Sequence, residues 1–341
     1  MRDVLPILER WLAAGRRVAV ATVVETRGSA PRTPGATLAL SDRGEIVGSV
    51  TGGCVEPAVI AEAEEVLAGG PARLRTFGIS DEDGMQVGLA CGGTVRVFIE
   101  PLVPEAVPAL AAALAADRPA ALVTTVEGGD LGGMRVVGPG DASADTDTVA
   151  RLLRRGETGL VDAGDATLFV ASFVPRPDMY VFGAIDHASA LVRVGRFLGY
   201  RVTVCDARAA FVTRERFPDA DRLAVAWPHR FLAEAPVDER TVICVLTHDP
   251  KFDVPAIRAA LATPAAYVGA MGSRRTTADR AARLREEGVG VEEIARIHAP
   301  IGLPIGARTP EEVAVAIGAQ IVAVTRRPTP AAPPLTAAGA R

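Results

Sequence analysis

Apolar and polar positions alternate through the first half of the chain, and the rhythm changes near residue 177. Residues 16–28 (RRVAVATVVETRG) alternate and are rich in β-branched side chains, which predicts a strand. ATLALSD and GEIVGSV flank Asp42-Arg43-Gly44 and read as the arms of a hairpin. VEPAVIAEAEEVLAGG carries apolar residues at helical spacing and two closing glycines, so a helix should end near Gly69. RLRTFGI and GTVRVFIEPL supply further strands. An alanine-rich helix, the strand ALVTTVEG and the pair TGLVDAG and TLFVASFVP complete the same region. One amphipathic helix at the start (MRDVLPILERWLAAGRR) and few others among many strands describe an α+β domain over 1–175.

Pro175-Arg176-Pro177 interrupts both helices and ladders and marks the expected boundary. Beyond it, MYVFG, RVTVCDAR, RTVICVLTHD and AAYVGAMGS are short apolar strands, each leading into a helical pattern. That alternation implies right-handed crossovers and a Rossmann-like, doubly wound parallel sheet over 178–328. Thr309, Pro310 and Glu312 form a legible helix start, with an N-cap hydroxyl, a proline at the first helical position and a reciprocal capping glutamate. The tail, 329–341, has no apolar period and is expected to be disordered.

Composition narrows the function classes. Hydrophobic residues make up 49% and charged residues 23%, and the net charge of −4 lacks the basic footprint of a nucleic-acid binder. Lys251 is the only lysine, so abundant arginine reads as a compositional bias rather than a binding signal. The N-terminal segment contains acids and reads as an amphipathic helix rather than a signal peptide, and no apolar run reaches the roughly 20 residues that span a bilayer. Four cysteines in 341 residues do not make a disulfide framework. A cytoplasmic protein with reduced thiols is expected, without a membrane or nucleic-acid partner.

Four glycine-bearing stretches carry candidate chemistry. In TGGCVEP, Gly52 and Gly53 permit positive φ and can present backbone N–H groups as an anion nest. Cys54 follows them and precedes a helix, whose start favours an ionised thiol. Cys91, before Gly92 and Gly93, is a near mirror image. Two such thiols suit a soft ligand such as molybdenum or copper, or an acceptor of persulfide sulfur; they also suit a small-residue structural role. Cys205 and Cys244 sit inside apolar strands and read as buried small hydrophobes.

The third stretch follows MYVFG. Gly183-Ala184-Ile185-Asp186-His187-Ala188 lies where a dinucleotide fold carries its phosphate turn, and Asp206, about 20 residues on, lies where an acid holds ribose. The second glycine of the fingerprint is replaced by Ile185, and Asp186 adds negative charge, so NAD(P) binding there is doubtful. The fourth, GAMGSRR, is better formed: Gly272 allows close approach, and Ser273, Arg274 and Arg275 can meet a phosphate or merely start a solvated helix. His248 and Asp249 sit at another strand end, as ligands or as turn residues.

Taken together, ETRGSAPRTPGA (25–36), GSVTGGCVE (48–56), GLACGG (88–93), RFPDAD (216–221), LTHD (246–249), YVGAMGSRR (267–275) and APIGLPIGARTPEEVAVAI (299–317) make the chain resemble the XdhC/CoxI family over nearly its whole length. These are xanthine dehydrogenase accessory factors. The resemblance implies an N-terminal domain carrying the glycine–cysteine motif and a C-terminal Rossmann domain. It further implies a chaperone, not an enzyme, that binds molybdenum cofactor (molybdopterin) and supports its sulfuration by a cysteine desulfurase. Delivery would be to an apo molybdenum hydroxylase of the xanthine dehydrogenase type. Cys54 and Cys91 become possible contacts of the metal or its sulfur. A nicotinamide-dependent oxidoreductase and a persulfide-carrying thiol protein are the alternatives, and a homodimer is possible.

Overall fold

A computed structural model describes residues 1–28, 32–78, 93–141 and 147–326. The tail expected to be disordered lies outside them. Two compact units emerge, the first ending at Pro175 and the second beginning at Arg176.

The first unit runs α1 (Leu5–Ala13), β1 (Val18–Arg27), β2 (Thr37–Ser41), β3 (Ile46–Gly48), α2 (Glu56–Leu67), β4 (Arg73–Phe77), β5 (Thr94–Pro101), α3 (Ala106–Ala115), β6 (Ala120–Gly128), β7 (Met134–Val137), α4 (Asp147–Arg155), β8 (Gly159–Asp162) and β9 (Ala166–Phe173). The strands form two antiparallel sheets, in the orders β3-β2-β1-β5-β4 and β7-β6-β9-β8. Alternation along β1 sends Ala19, Ala21 and Val23 to one face, where Val59, Ala63 and Val66 of α2 cover them. The other face, with Val20, Val24 and Phe98, meets Leu122, Val126 and Phe169 of the second sheet together with α1 and α3. Helix α4 closes the outer face of the second sheet through Val149, Leu152 and Leu153. Each fully buried aliphatic side chain in these layers contributes about 1.5–3 kcal/mol.

One polar group breaks this apolar interior. Glu100, on β5, is 2% exposed and its Oε2 has no hydrogen-bond partner. It shares a small cavity between the sheets with Thr22, Thr37 and Thr124. Burial pushes its carboxyl well above the usual carboxylate range.

The second unit contains β10 (Asp178–Phe182), α5 (Asp186–Phe197), β11 (Arg201–Asp206), β12 (Arg222–Val225), α6 (Pro228–Glu234), β13 (Val242–Val245), α7 (Pro250–Leu261), β14 (Tyr267–Ala270), α8 (Arg274–Glu286), α9 (Val291–Ala295), β15 (Ile297–His298) and α10 (Pro310–Thr325). Its six strands are all parallel in the order β12-β11-β10-β13-β14-β15, the doubly wound arrangement expected from the sequence. Helices α5 and α10 bury Leu191, Ile317 and Ile321 on one face. On the other, α6, α7 and α8 bury Leu232, Ile257 and Leu284. The strand order reverses between β10 and β13, which opens a crevice at the carboxyl ends of the strands.

Cys205 and Cys244 lie within the sheet, fully buried, and burial raises both thiols, Cys205 to about 12. Thr309 caps α10 by accepting from the Glu312 N–H, and Glu312 accepts in return from the Thr309 N–H.

Candidate functional site

The loop between β3 and α2 is folded around a carboxylate. Glu56, first residue of α2, accepts at Oε1 from the Ser49 hydroxyl (2.7 Å) and the N–H groups of Val50 (3.2 Å), Thr51 (2.8 Å) and Gly52 (2.8 Å). At Oε2 it accepts from the Thr51 hydroxyl (2.7 Å) and the Gly53 N–H (2.8 Å). Burial opposes its charge, but the Thr51 N–H, the Ser49 and Thr51 hydroxyls and the Gly52 N–H overcome it and hold the carboxyl far below the usual range. This corrects the sequence expectation of an open anion nest at Gly52 and Gly53. The nest forms, but the chain fills it with its own anion, the Glu56 carboxylate.

Cys54 rides on this clasped loop with its thiol exposed, while Cys205 and Cys244 are buried. A Cβ added at Gly52 or Gly53 would meet nothing within 4 Å, so the space beside Cys54 is open. Cys91 and Gly92 lie outside the described residues. Among the described residues, no group of three or more His, Cys, Asp or Glu could hold a metal ion.

In the second unit, the turn after β10 is also closed. The Gly183 N–H donates to the Cys205 carbonyl (3.0 Å), the Ala184 N–H to Asp206 Oδ2 (2.9 Å) and the Ile185 N–H to the Gly183 carbonyl (3.0 Å). Asp206 does not present a free carboxylate to a ribose. Its Oδ1 accepts from the Arg208 N–H and Nε, and its Oδ2 also from Arg208 Nη2 at 2.8 Å. Burial alone would raise the Asp206 carboxyl; the Arg208 guanidinium and the two N–H groups hold it below the usual range. Gly183 has φ +105, and a Cβ there would lie 2.8 Å from Thr247 Cγ2. Its conformation thus serves the packing of β10 against the end of β13. The cations beside this turn are paired with acids, Arg216 with Asp186 (3.6 Å) and Arg193 with Glu311 (3.3 Å).

The turn after β14 is built differently. Gly272 has φ +147 and Ser273 caps α8 by accepting from the Thr276 N–H (3.1 Å). The N–H groups of Gly272, Ser273, Arg274 and Arg275 meet no acceptor among the described residues. No acid occupies the first turn of α8, and the exposed Arg274 and Arg275 side chains have no carboxylate partner there. Beneath the turn lies a group that spacing did not announce. Arg280 sends its side chain back toward the start of α8, as helical geometry favours. Its Nη2 donates to Asp253 Oδ2 (2.9 Å) and to the Met271 carbonyl (2.8 Å). Asp253 Oδ1 accepts from the Thr247 hydroxyl, tying the end of β13 to the same cluster. The Arg280 and Asp253 side chains are 4% and 3% exposed.

Two further features mark the carboxyl edge of the sheet. Trp227, exposed at the start of α6, stacks on Phe252 of α7 at 4.6 Å and 15°. Asp249 caps α7 by accepting from the Lys251 N–H (3.0 Å), and His248 and Lys251 are both exposed.

An exposed thiol on a clasped loop precedes a Rossmann unit whose first turn is closed and whose fifth strand ends in an open cationic turn, and these features define a two-unit class of protein. Comparison with known proteins gives this class its family. The model of the XdhC and CoxI family matches residues 11–78, and that of the XdhC Rossmann domain matches 179–321. The chain belongs to the XdhC and CoxI family. A Bacillus subtilis (strain 168) protein named as a probable xanthine dehydrogenase component is 27% identical over 329 residues, covering 94% of this chain and 97% of that protein. The "Molybdenum cofactor insertion chaperone PaoD" of Escherichia coli (strain K12) is 28% identical over 323 residues, covering 95% of this chain and 88% of that one. A crystal structure described as a xanthine dehydrogenase from Bacillus halodurans superposes with a TM-score of 0.62 at 24% identity, over 96% of this chain and 98% of that chain, which shows the shared fold.

Proposed function

We propose that the protein is a maturation factor for a molybdenum hydroxylase of the xanthine dehydrogenase type. It binds the molybdenum cofactor as cargo, supports its sulfuration in concert with a cysteine desulfurase and inserts it into the apo-enzyme. The observation that carries the site within this reading is Cys54, exposed on a loop that Glu56 holds in place and preceded by two glycines that leave room for a ligand. Whole-length relatives, one of them an insertion chaperone by name, support the role. A thiolate is the soft donor that molybdenum and its terminal sulfur favour. Cys54 would hold that end of the cargo, with Cys91 as a second sulfur. The closed β10 turn offers no backbone donor from Gly183, Ala184 or Ile185 to a pyrophosphate, which weighs against a nicotinamide-dependent reaction.

The decisive experiment compares the parent protein with Cys54→Ala after expression with molybdopterin synthesis intact. Oxidised samples are read by pterin fluorescence. The parent should retain pterin near one per chain and Cys54→Ala at least tenfold less, with an unchanged melting temperature because the thiol is exposed. Absence of pterin from the parent would refute the reading. A second reading, persulfide transport by Cys54 without pterin, predicts a mass gain of one sulfur after incubation with a desulfurase.

A further inference from the structure

We propose that the turn after β14 is a receptor for a phosphomonoester, a reading that rests on the geometry of the turn and stands apart from the maturation role above. Four successive N–H groups, from Gly272 to Arg275, have no acceptor among the described residues at the start of a 13-residue helix, where the helix dipole is positive. Arg274 and Arg275 add two exposed cations that have no carboxylate partner among the described residues.

The second observation is Arg280. A surface arginine ordinarily keeps its guanidinium in water, but this one is buried against the turn. It bonds the Met271 carbonyl, and its Nη2 lies 3.6 Å from the position a Cβ would take at Gly272. Its Nη1 is buried and has no hydrogen-bond partner. A buried guanidinium donor without an acceptor is costly, and an anion within its reach relieves that cost. Asp253 neutralises one of the three arginine charges, leaving a net charge of about +2 at the turn, the complement of a phosphomonoester dianion. Glycine at 272 lets Thr276 pack against the turn, since a Cβ there would press on it at 3.1 Å.

Inorganic phosphate, followed by isothermal titration calorimetry at low salt, is the first probe. The parent should bind it with a dissociation constant in the millimolar range or below, and Arg274→Gln/Arg275→Gln should weaken it at least tenfold. Arg193→Gln/Arg216→Gln removes equal charge at the β10 turn and should leave the affinity within twofold. Arg280→Lys tests the buried donor and should weaken phosphate at least threefold, with circular dichroism confirming the fold; should it unfold, the surface pair alone decides. Failure of the parent to bind phosphate, or equal losses from the two double variants, would overturn the receptor even if pterin still co-purifies. Phosphate binding without any pterin in the parent would leave the receptor standing and refute the maturation reading.

Discussion

Within one Rossmann unit, two glycine turns at strand ends have opposite fates. After β10 the N–H groups of Gly183, Ala184 and Ile185 are consumed by the chain, and Asp206 seals the turn from the neighbouring strand. After β14 the corresponding groups are open, with arginines beside and beneath them. The Gly52–Gly53 loop of the first unit repeats the closed solution with Glu56. Glycine and a helix start are therefore not sufficient for an anion site. What decides is whether the chain supplies an acid of its own at the right reach.

The sharpest way to break this comparison is at Gly183. Alanine there combines a left-handed φ with a Cβ 2.8 Å from Thr247 Cγ2, and should cost about 3 kcal/mol in urea unfolding. Gly53→Ala, whose Cβ meets nothing, should cost only about 1 kcal/mol of backbone strain. Equal costs would mean that packing against β13 is not what shapes the β10 turn.

Next comes the carboxylate inside the closed loop. Glu56→Ala should lose about 2 kcal/mol, because its donors must turn to water and the loop loses its anchor. The folded-state shift of Glu56 is downward, so its stabilisation is complete above the unfolded value of about 4.3 and is lost as pH falls further. Glu56→Gln should flatten the acid limb of a stability–pH curve. Iodoacetamide labelling of Cys54 should change rate in the same variant, since the loop that presents the thiol is no longer held.

Glu100 is the opposite carboxyl, buried without a donor to Oε2, and it has the smallest expected effect. Its folded-state shift is upward, so its contribution is intact below about pH 4.3 and erodes as pH rises toward the folded value. Glu100→Gln cannot ionise and should raise stability at pH 8 by about 1 kcal/mol while changing little at pH 4. A loss at pH 8 would show that the ionised group has a partner in solution.

Much of this fold was legible because its signals are local. The Asp42-Arg43-Gly44 hairpin, the Thr309–Glu312 capping box and the strand–helix rhythm after Pro177 each rest on residues a few positions apart. The partition of the first-unit strands into two sheets was not legible, because alternation marks a buried face without naming the strand that pairs with it. Short β7 and β12, four residues each, carry too little pattern to stand out. At the site, spacing located Cys54, Gly183 and Arg274 but did not reveal the groups packed around them. Glu56 lay within the quoted motif, yet its reach back over four residues depends on the loop's path. Arg280 follows Gly272 by two helical turns, and only the backward lean of helical side chains brings it under the turn.

The first turn of α7 has a practical consequence. Lys251 is the sole side-chain amine in the sequence, and it is exposed in the segment that follows β13. An amine-reactive crosslinker or fluorophore therefore reads a single side-chain address on the carboxyl edge of the parallel sheet. The conjugated Lys251 peptide is told apart from the one labelled at the Met1 α-amine, so a bias in amino-acid usage becomes a chemical ruler for whatever docks at that edge.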